Sequence, residues 1–219
     1  TYLERDIPML GFNIPSLTLR RFWMMLTHYH GQIVNYSEIG RSFGIADTTV
    51  RKYIDLLTNT YMVRQLPPWY ENLKKRQVKS PKIYLRDTGI LHALLGVDRS
   101  KDLSFNPKLG ASWEGFAIEQ IIQLYQAGEG ECYFWSAHGR AEIDLMIFKR
   151  GKRIGFEIKH SSTPKVTTSM LTAQQDLALD ELKVVYPGEE VFPLTKTVTA
   201  VGLESLLRGS IKSPADRRR

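Results

Sequence analysis

The chain has 219 residues, 42% of them apolar and 24% charged, enough for one large domain or two small ones around real cores and too apolar for wholesale disorder. Its single cysteine, Cys132, excludes a disulfide-built secreted fold and a four-thiolate zinc site, and a reducing, cytoplasmic setting is expected. Thirty basic against twenty-three acidic residues leave a formal charge of +7 that points to a polyanionic partner, and no apolar run reaches the ~18–20 residues that span a bilayer, so no membrane partner is expected.

In chain order, Tyr2-Leu3-Glu4-Arg5-Asp6-Ile7 reads as part of a longer protein, with 1–14 as a linker. Ser16 is placed to cap a helix through about His30, which Gly31 stops. A short helix follows over 36–45, then a second over Asp47–Leu57 with Val50, Ile54 and Leu57 on one stripe. Two helices broken by Phe43-Gly44-Ile45 make a helix-turn-helix, whose second helix can enter a major groove. Thr48, Thr49, Arg51 and Lys52 on that helix are therefore candidate DNA contacts.

Tyr61–Leu66 reads as a strand and Lys82–Leu85 as its return, around a basic, proline-flanked loop; this suggests the winged variety. From Arg64 to Arg86 seven basic residues face the single acid Glu71, a surplus that makes up most of the chain's +7. Lys74, Lys75, Arg76, Lys79 and Lys82 are the phosphate contacts expected there. A helix over 87–95 closes a first unit taken as 1–97, and polar residues 98–110 read as a linker.

The second unit, 111–212, alternates differently. A helix near 112–126 is followed by strands near 131–136, 141–148 and 153–159, a helix near 167–179 and a strand near 181–186. Gly139 and Gly151 mark the turns, 188–209 adds a strand and a helix, and the basic tail 213–219 is expected to be disordered. The fold class is thus α+β in two domains, the second an α-β-β-β-α-β layer arrangement.

Strand alternation puts Ala141, Ile143, Leu145 and Ile147 on one face and Asp144 on the other. In the next strand Ile154, Phe156 and Ile158 oppose Glu157 and Lys159, with Gly155 leaving room beside them. Glu114 shares the helical stripe of Ile118 and Ile121. Three carboxylates around one point suit a hard divalent cation, Mg2+ or Mn2+, with Lys159 serving the attacking water. An acid-x-base triplet alone means little, since about three are expected by chance in this composition. Order, face and setting together carry the reading.

Glu114 on a leading helix, Asp144 on a strand, then Glu157-x-Lys159 resembles the PD-(D/E)xK nuclease superfamily, with Ile143-Asp144 in place of its namesake Pro-Asp. Trp113-Glu114-Gly115-Phe116, Glu142-Ile143-Asp144 and Phe156-Glu157-Ile158-Lys159 further resemble the C-terminal domain of unknown function of prokaryotic AAA-type ATPases. That resemblance implies a P-loop ATPase domain ahead of residue 1, then a winged helix, then a restriction-endonuclease-like domain with Glu114, Asp144, Glu157 and Lys159 as catalytic residues and the three acids as metal ligands. It confines ATP to the preceding domain, which becomes a partner alongside DNA. Expected is a DNA-binding module with metal-dependent phosphodiester hydrolysis; the alternative is a non-catalytic DNA- or protein-binding module that positions the ATPase, and a homo-oligomer is left open.

Overall fold

A computed structural model of the protein describes residues 2–71, 79–137 and 141–209. Lys74, Lys75, Arg76, Gly139 and the tail 213–219 lie outside those residues. The architecture mixes helices with two sheets, and none of the described helices is long and apolar enough to cross a membrane.

A π-helical turn, Tyr2–Asp6, leads into α1 (Ile7–Met9) and α2 (Ser16–His28), which begins behind Pro15 instead of being capped by Ser16. After β1 (Gln32–Ile33), Asn35 caps α3 (Tyr36–Phe43) by accepting the Glu38 N–H at 3.2 Å. Gly44 at φ 65° ends α3 in the left-handed region that a glycine enters freely, and α4 (Asp47–Asn59) follows. Strands β2 (Val63–Leu66) and β3 (Lys82–Leu85) pair antiparallel, with β3 central in the order β1-β3-β2. Phe22, Leu26, Ile39, Val50, Ile54, Leu57, Ile83 and Leu85 form the first core. Asp87 caps α5 (Thr88–Leu94), and the stretch expected as a linker carries α6 (Ser100–Ser104) and starts α7.

The second half runs α7 (Leu109–Leu124), β4 (Cys132–Ala137), β5 (Ala141–Lys149), β6 (Lys152–Ile158), α8 (Thr168–Asp176), β7 (Glu181–Tyr186), β8 (Val191–Pro193), β9 (Val198–Gly202) and α9 (Leu203–Gly209). The last stretch thus adds two strands and a helix, one strand more than expected. The sheet order is β4-β5-β6-β7-β9-β8, with β6, β7 and β9 mutually parallel and the other pairs antiparallel. Helix α7 buries Ala117, Ile118, Ile121 and Ile122 on one face of it, and α8 buries Met170 and Ala173 on the other. Arg150 and Gly151, both at positive φ, form the two-residue turn joining β5 to β6.

Strand β5 departs from simple alternation. Its pairing with β4 jumps from Tyr133↔Met146 to Trp135↔Ile143, so Asp144 and Leu145 together oppose Phe134. This bulge inserts one residue and reverses the faces on either side of it. Ala141 and Ile143 therefore pack with Met146 in the α8 core, whereas Leu145 and Ile147 pack under α7. The expected common face of Ala141, Ile143, Leu145 and Ile147 does not form. Gly155 also has another use than expected: a Cβ there would lie 2.6 Å from Leu179 Cδ1. Its vacancy is filled by the leucines behind β6.

The β2–β3 hairpin joins the two halves. Cross-strand partners Arg64↔Tyr84 and Leu66↔Lys82 share the face opposite Val63↔Leu85 and Gln65↔Ile83. On that face Leu66 and Tyr84 enter the core beneath α7, and the buried carboxylate of Glu119 on α7 is paired with both Arg64 and Arg86. His30 is fully buried; its Nδ1 accepts the Leu85 N–H at 3.0 Å, so its Nε2 donates to the Ala111 carbonyl at 3.0 Å. Beyond β2, Trp69 N–H donates to the Phe134 carbonyl at 2.7 Å and Phe134 N–H to that of Pro67 at 3.0 Å.

Close approach at this junction requires Gly115, where a Cβ would sit 2.6 Å from His30 Nε2. Gly115→Ala is expected to destabilise the protein by about 1–3 kcal/mol. In the same helix Gly110 has nothing within 4 Å of an added Cβ, so Gly110→Ala should be neutral or stabilising by up to about 1 kcal/mol. Urea unfolding midpoints of the two variants, moving in opposite directions, check the packing of α7 on the hairpin.

Candidate functional site

Four elements converge on a partly buried group of charged side chains. Helix α7 brings Glu114, β5 brings Glu142 and Asp144, the end of β6 brings Glu157 and Lys159, and β3 brings Lys82 and Tyr84. The Lys82 ammonium lies 2.5 Å from Glu142 Oε1, 3.3 Å from Glu114 Oε1 and 3.6 Å from Asp144 Oδ1. Tyr84 Oη donates to Glu114 Oε1 at 2.5 Å. Asp144 Oδ2 accepts the Ile158 N–H at 2.8 Å, so at the bulge a side chain ties β5 to the end of β6. Lys159 Nζ pairs with Glu157 Oε1 at 2.7 Å, while Glu157 Oε2 is buried without a hydrogen-bond partner.

Burial and mutual repulsion set the electrostatics. Glu157 is only 7% exposed; burial first and the charge of Asp144 second push its carboxyl up to about 8, against the pull of Lys159. Burial and Asp144 likewise raise Glu114 to about 7, against Lys82 and the Tyr84 hydroxyl. Burial disfavours the Lys82 ammonium, yet Glu114, Asp144 and Glu142 outweigh it and raise its pKa. Lys159 is raised in the same way, chiefly by Glu157 over the effect of burial. Tyr84 is held protonated by burial and by Glu114.

The four residues singled out as catalytic thus share one neighbourhood. They do not form the expected three-carboxylate cradle: among the described residues, no group of three or more His, Cys, Asp and Glu side chains is arranged to hold a metal. Glu114 turns its Oε1 to Tyr84 and Lys82 instead. Asp144 and Glu157 still fit a hard cation, because magnesium is commonly held by one or two carboxylates with substrate phosphate completing its shell, and the buried Oε2 of Glu157 lacks any other partner.

Lys82 is the largest departure from the sequence reading. Expected as a phosphate contact at the start of the return strand, it is 5% exposed and lies inside the carboxylate cluster. Its burial follows from β3 having two covered faces, which a basic stretch of sequence does not signal. Glu142 and Tyr84 were missed with it. Of the other expected DNA contacts, Thr48, Arg51, Lys52 and Lys79 are exposed and Thr49 is half-buried. The Arg51 guanidinium rests 3.7 Å above the Tyr36 ring.

Two family models match the chain. Residues 1–101 match the one described as Domain of unknown function (DUF8612), and residues 109–206 match Domain of unknown function (DUF4143). An uncharacterized protein of Mycobacterium tuberculosis (strain ATCC 25618 / H37Rv) is 51% identical over 207 residues, covering 94% of this chain and 46% of that protein. An uncharacterized protein of Mycobacterium bovis gives the same 51% identity over the same coverage. The chain spans about half the length of these curated relatives. The crystal structure of protein VC1899 from Vibrio cholerae overlaps at a TM-score of 0.31 and 12% identity, covering 91% of this chain and 56% of that one.

Raised carboxyl groups make the metal-free fold sensitive to alkali. A folded-state pKa of about 8 for Glu157, above the ordinary 4.5, means that folding binds a proton, so the associated stability is lost as pH rises through about 8. His30, lowered by burial to about 4, loses stability only on the acid side, which keeps the window above pH 7 free of it. Between about pH 7 and 9 the metal-free protein should lose about 1 kcal/mol through this group. Glu157→Gln should flatten the decline; chemical denaturation at each pH, with chelator present, measures it.

Proposed function

We propose that the chain is the C-terminal part of an AAA-type ATP-binding protein. In this reading its winged-helix half holds DNA, and its restriction-endonuclease-like half cleaves DNA by metal-dependent phosphodiester hydrolysis. One observation carries it: four acids, Glu114, Glu142, Asp144 and Glu157, face two ammonium groups, Lys82 and Lys159, and one carboxylate oxygen of Glu157 stays buried with no partner. An excess of negative charge in a partly buried site is costly unless a cation or protons balance it. The family resemblance of Trp113–Phe116, Glu142–Asp144 and Phe156–Lys159 supports the same assignment.

Asp144 and Glu157 would hold Mg2+ or Mn2+, which when bound makes a coordinated water more acidic and neutralises phosphoryl charge. Lys159, half-buried and tied to Glu157, is placed to orient the attacking water or to meet negative charge growing on the phosphate. Glu114, held by Tyr84 and Lys82, keeps its carboxyl beside Asp144 as a proton store. Exposed Thr48, Arg51, Lys52 and Lys79, with Lys74, Lys75 and Arg76, would supply phosphate contacts. The second reading, a module that holds DNA or a protein partner without cutting it, is favoured by the Lys82 ammonium already seated among the acids.

Cleavage of plasmid DNA should require Mg2+ or Mn2+ and stop with chelator. Asp144→Asn and Glu157→Gln should each lose cleavage and manganese binding together, by at least about a hundredfold in rate, whereas Lys159→Ala should lose cleavage and keep the metal. If the parent and Asp144→Asn bind manganese equally, or neither binds at millimolar concentration, the cluster is a scaffold and the non-catalytic reading stands. Duplex affinity should fall with salt at roughly −0.9 per phosphate contact in log-log slope. Neutralising Lys74, Lys75 and Arg76 together should flatten that slope; an unchanged slope places the contacts elsewhere.

A further inference from the structure

Lys82 belongs to β3, a strand of the first unit, yet its ammonium is part of the charge balance of a cluster built on the second. We infer that Lys82 is the resident counter-cation of this site, and that a divalent ion enters by displacing its ammonium from Glu114 and Asp144. The inference rests on the metal-dependent reading above and deepens it. It makes the β2–β3 hairpin the element that sets how readily the site loads.

Three features of the geometry point to displacement instead of coexistence. First, the ammonium takes oxygens of Glu114, Glu142 and Asp144 at 2.5–3.6 Å, so Asp144, one of the two acids proposed to hold the metal, is already engaged by Lys82. A divalent ion held by Asp144 would sit beside that ammonium, and the two like charges would repel. Second, Lys82 has somewhere to go. Its shortest contact is to Glu142, whose side chain is 43% exposed and is the outermost acid of the three, so a long flexible lysine can swing outward with Glu142 while β3 stays in place. Third, Tyr84, two residues on and on the same face of β3, donates to Glu114 on its own account, so the hairpin has an anchor on α7 that does not depend on the Lys82 ammonium.

The hairpin also carries Arg64 and Arg86, which grip Glu119 further along α7. A force on the hairpin, from DNA held by the first unit or from a preceding domain, would therefore reach Lys82 through a rigid, doubly anchored strand.

Lys82→Met keeps the length of the side chain and removes its charge. Isothermal titration of this chain with Mn2+ at pH 8 should show the variant binding at least about tenfold more tightly than the parent, as expected when a like charge leaves a partly buried site. Because that variant leaves acids uncompensated and risks misfolding, a second measurement uses the parent alone. Acetylation of lysines by acetic anhydride, read by mass spectrometry, should find Lys82 shielded without metal and labelled several-fold faster at saturating Mn2+, with exposed Lys79 unchanged. Equal or weaker binding by a folded Lys82→Met, or a Lys82 that stays shielded in the loaded parent, overturns displacement while leaving the metal-dependent reading intact. No manganese binding by either protein overturns that reading and this inference with it.

Discussion

The strand Lys82–Leu85 is covered on both faces, and most of the architecture follows from how its four side chains alternate. Ile83 and Leu85 complete the core between the first unit's helices, while Lys82 and Tyr84 turn the other way, into the second unit. A strand with an outward face would leave the two units free to move on a tether. Here the face turned to the second unit carries an ammonium and a phenol that must find partners once buried, and Glu114, Glu142 and Asp144 are those partners. The same logic repeats one step away, where Arg64 and Arg86 flank the buried Glu119. Polar contacts therefore fix the register between the units, and the apolar contacts of Leu66 and Tyr84 with the core beneath α7 supply the burial.

Local patterning made most elements legible. Apolar spacing and breaker residues placed α3, α4 and the strands around Gly151 to within a few residues, because those signals are short-range. The candidate site was legible as a set: Glu114, Asp144, Glu157 and Lys159 do come together. Its wiring was not. The bulge at Asp144–Leu145 carries no glycine or proline to announce it, and it reverses the faces of β5. Lys82, read as the first residue of the return strand, was grouped with the basic residues of the wing, and only the second unit, folded against β3, sets it apart from them.

The bulge is also what makes Asp144 useful. In an unbroken ladder Ile158 N–H would meet a backbone carbonyl of β5; at the inserted residue it meets the Asp144 carboxylate instead, at 2.8 Å. That contact holds one oxygen of the acid at the strand end and aims the other toward Lys82. Glu157 sits next to Ile158 on β6, so the same contact sets the distance between the two acids proposed to bind metal. A one-residue irregularity in the ladder thus positions a side chain more firmly than a rotamer preference alone would.

Charge accounting links the site's acid–base behaviour to its proposed chemistry. With Glu114, Glu142, Asp144 and Glu157 ionised against Lys82 and Lys159, the cluster carries two negative charges in excess. Protons are one remedy: burial first and the charge of Asp144 second push the carboxyl of Glu114 up to about 7 and that of Glu157 up to about 8. A divalent cation supplies the same charge in a single ion and competes with those protons, so loading would release them. Were Lys82 to swing outward with Glu142 as the ion enters, one positive and one negative charge would leave together, so the excess would stay at two and the divalent ion would cancel it. The protein would then hold a site that is balanced by protons when empty and by metal when loaded.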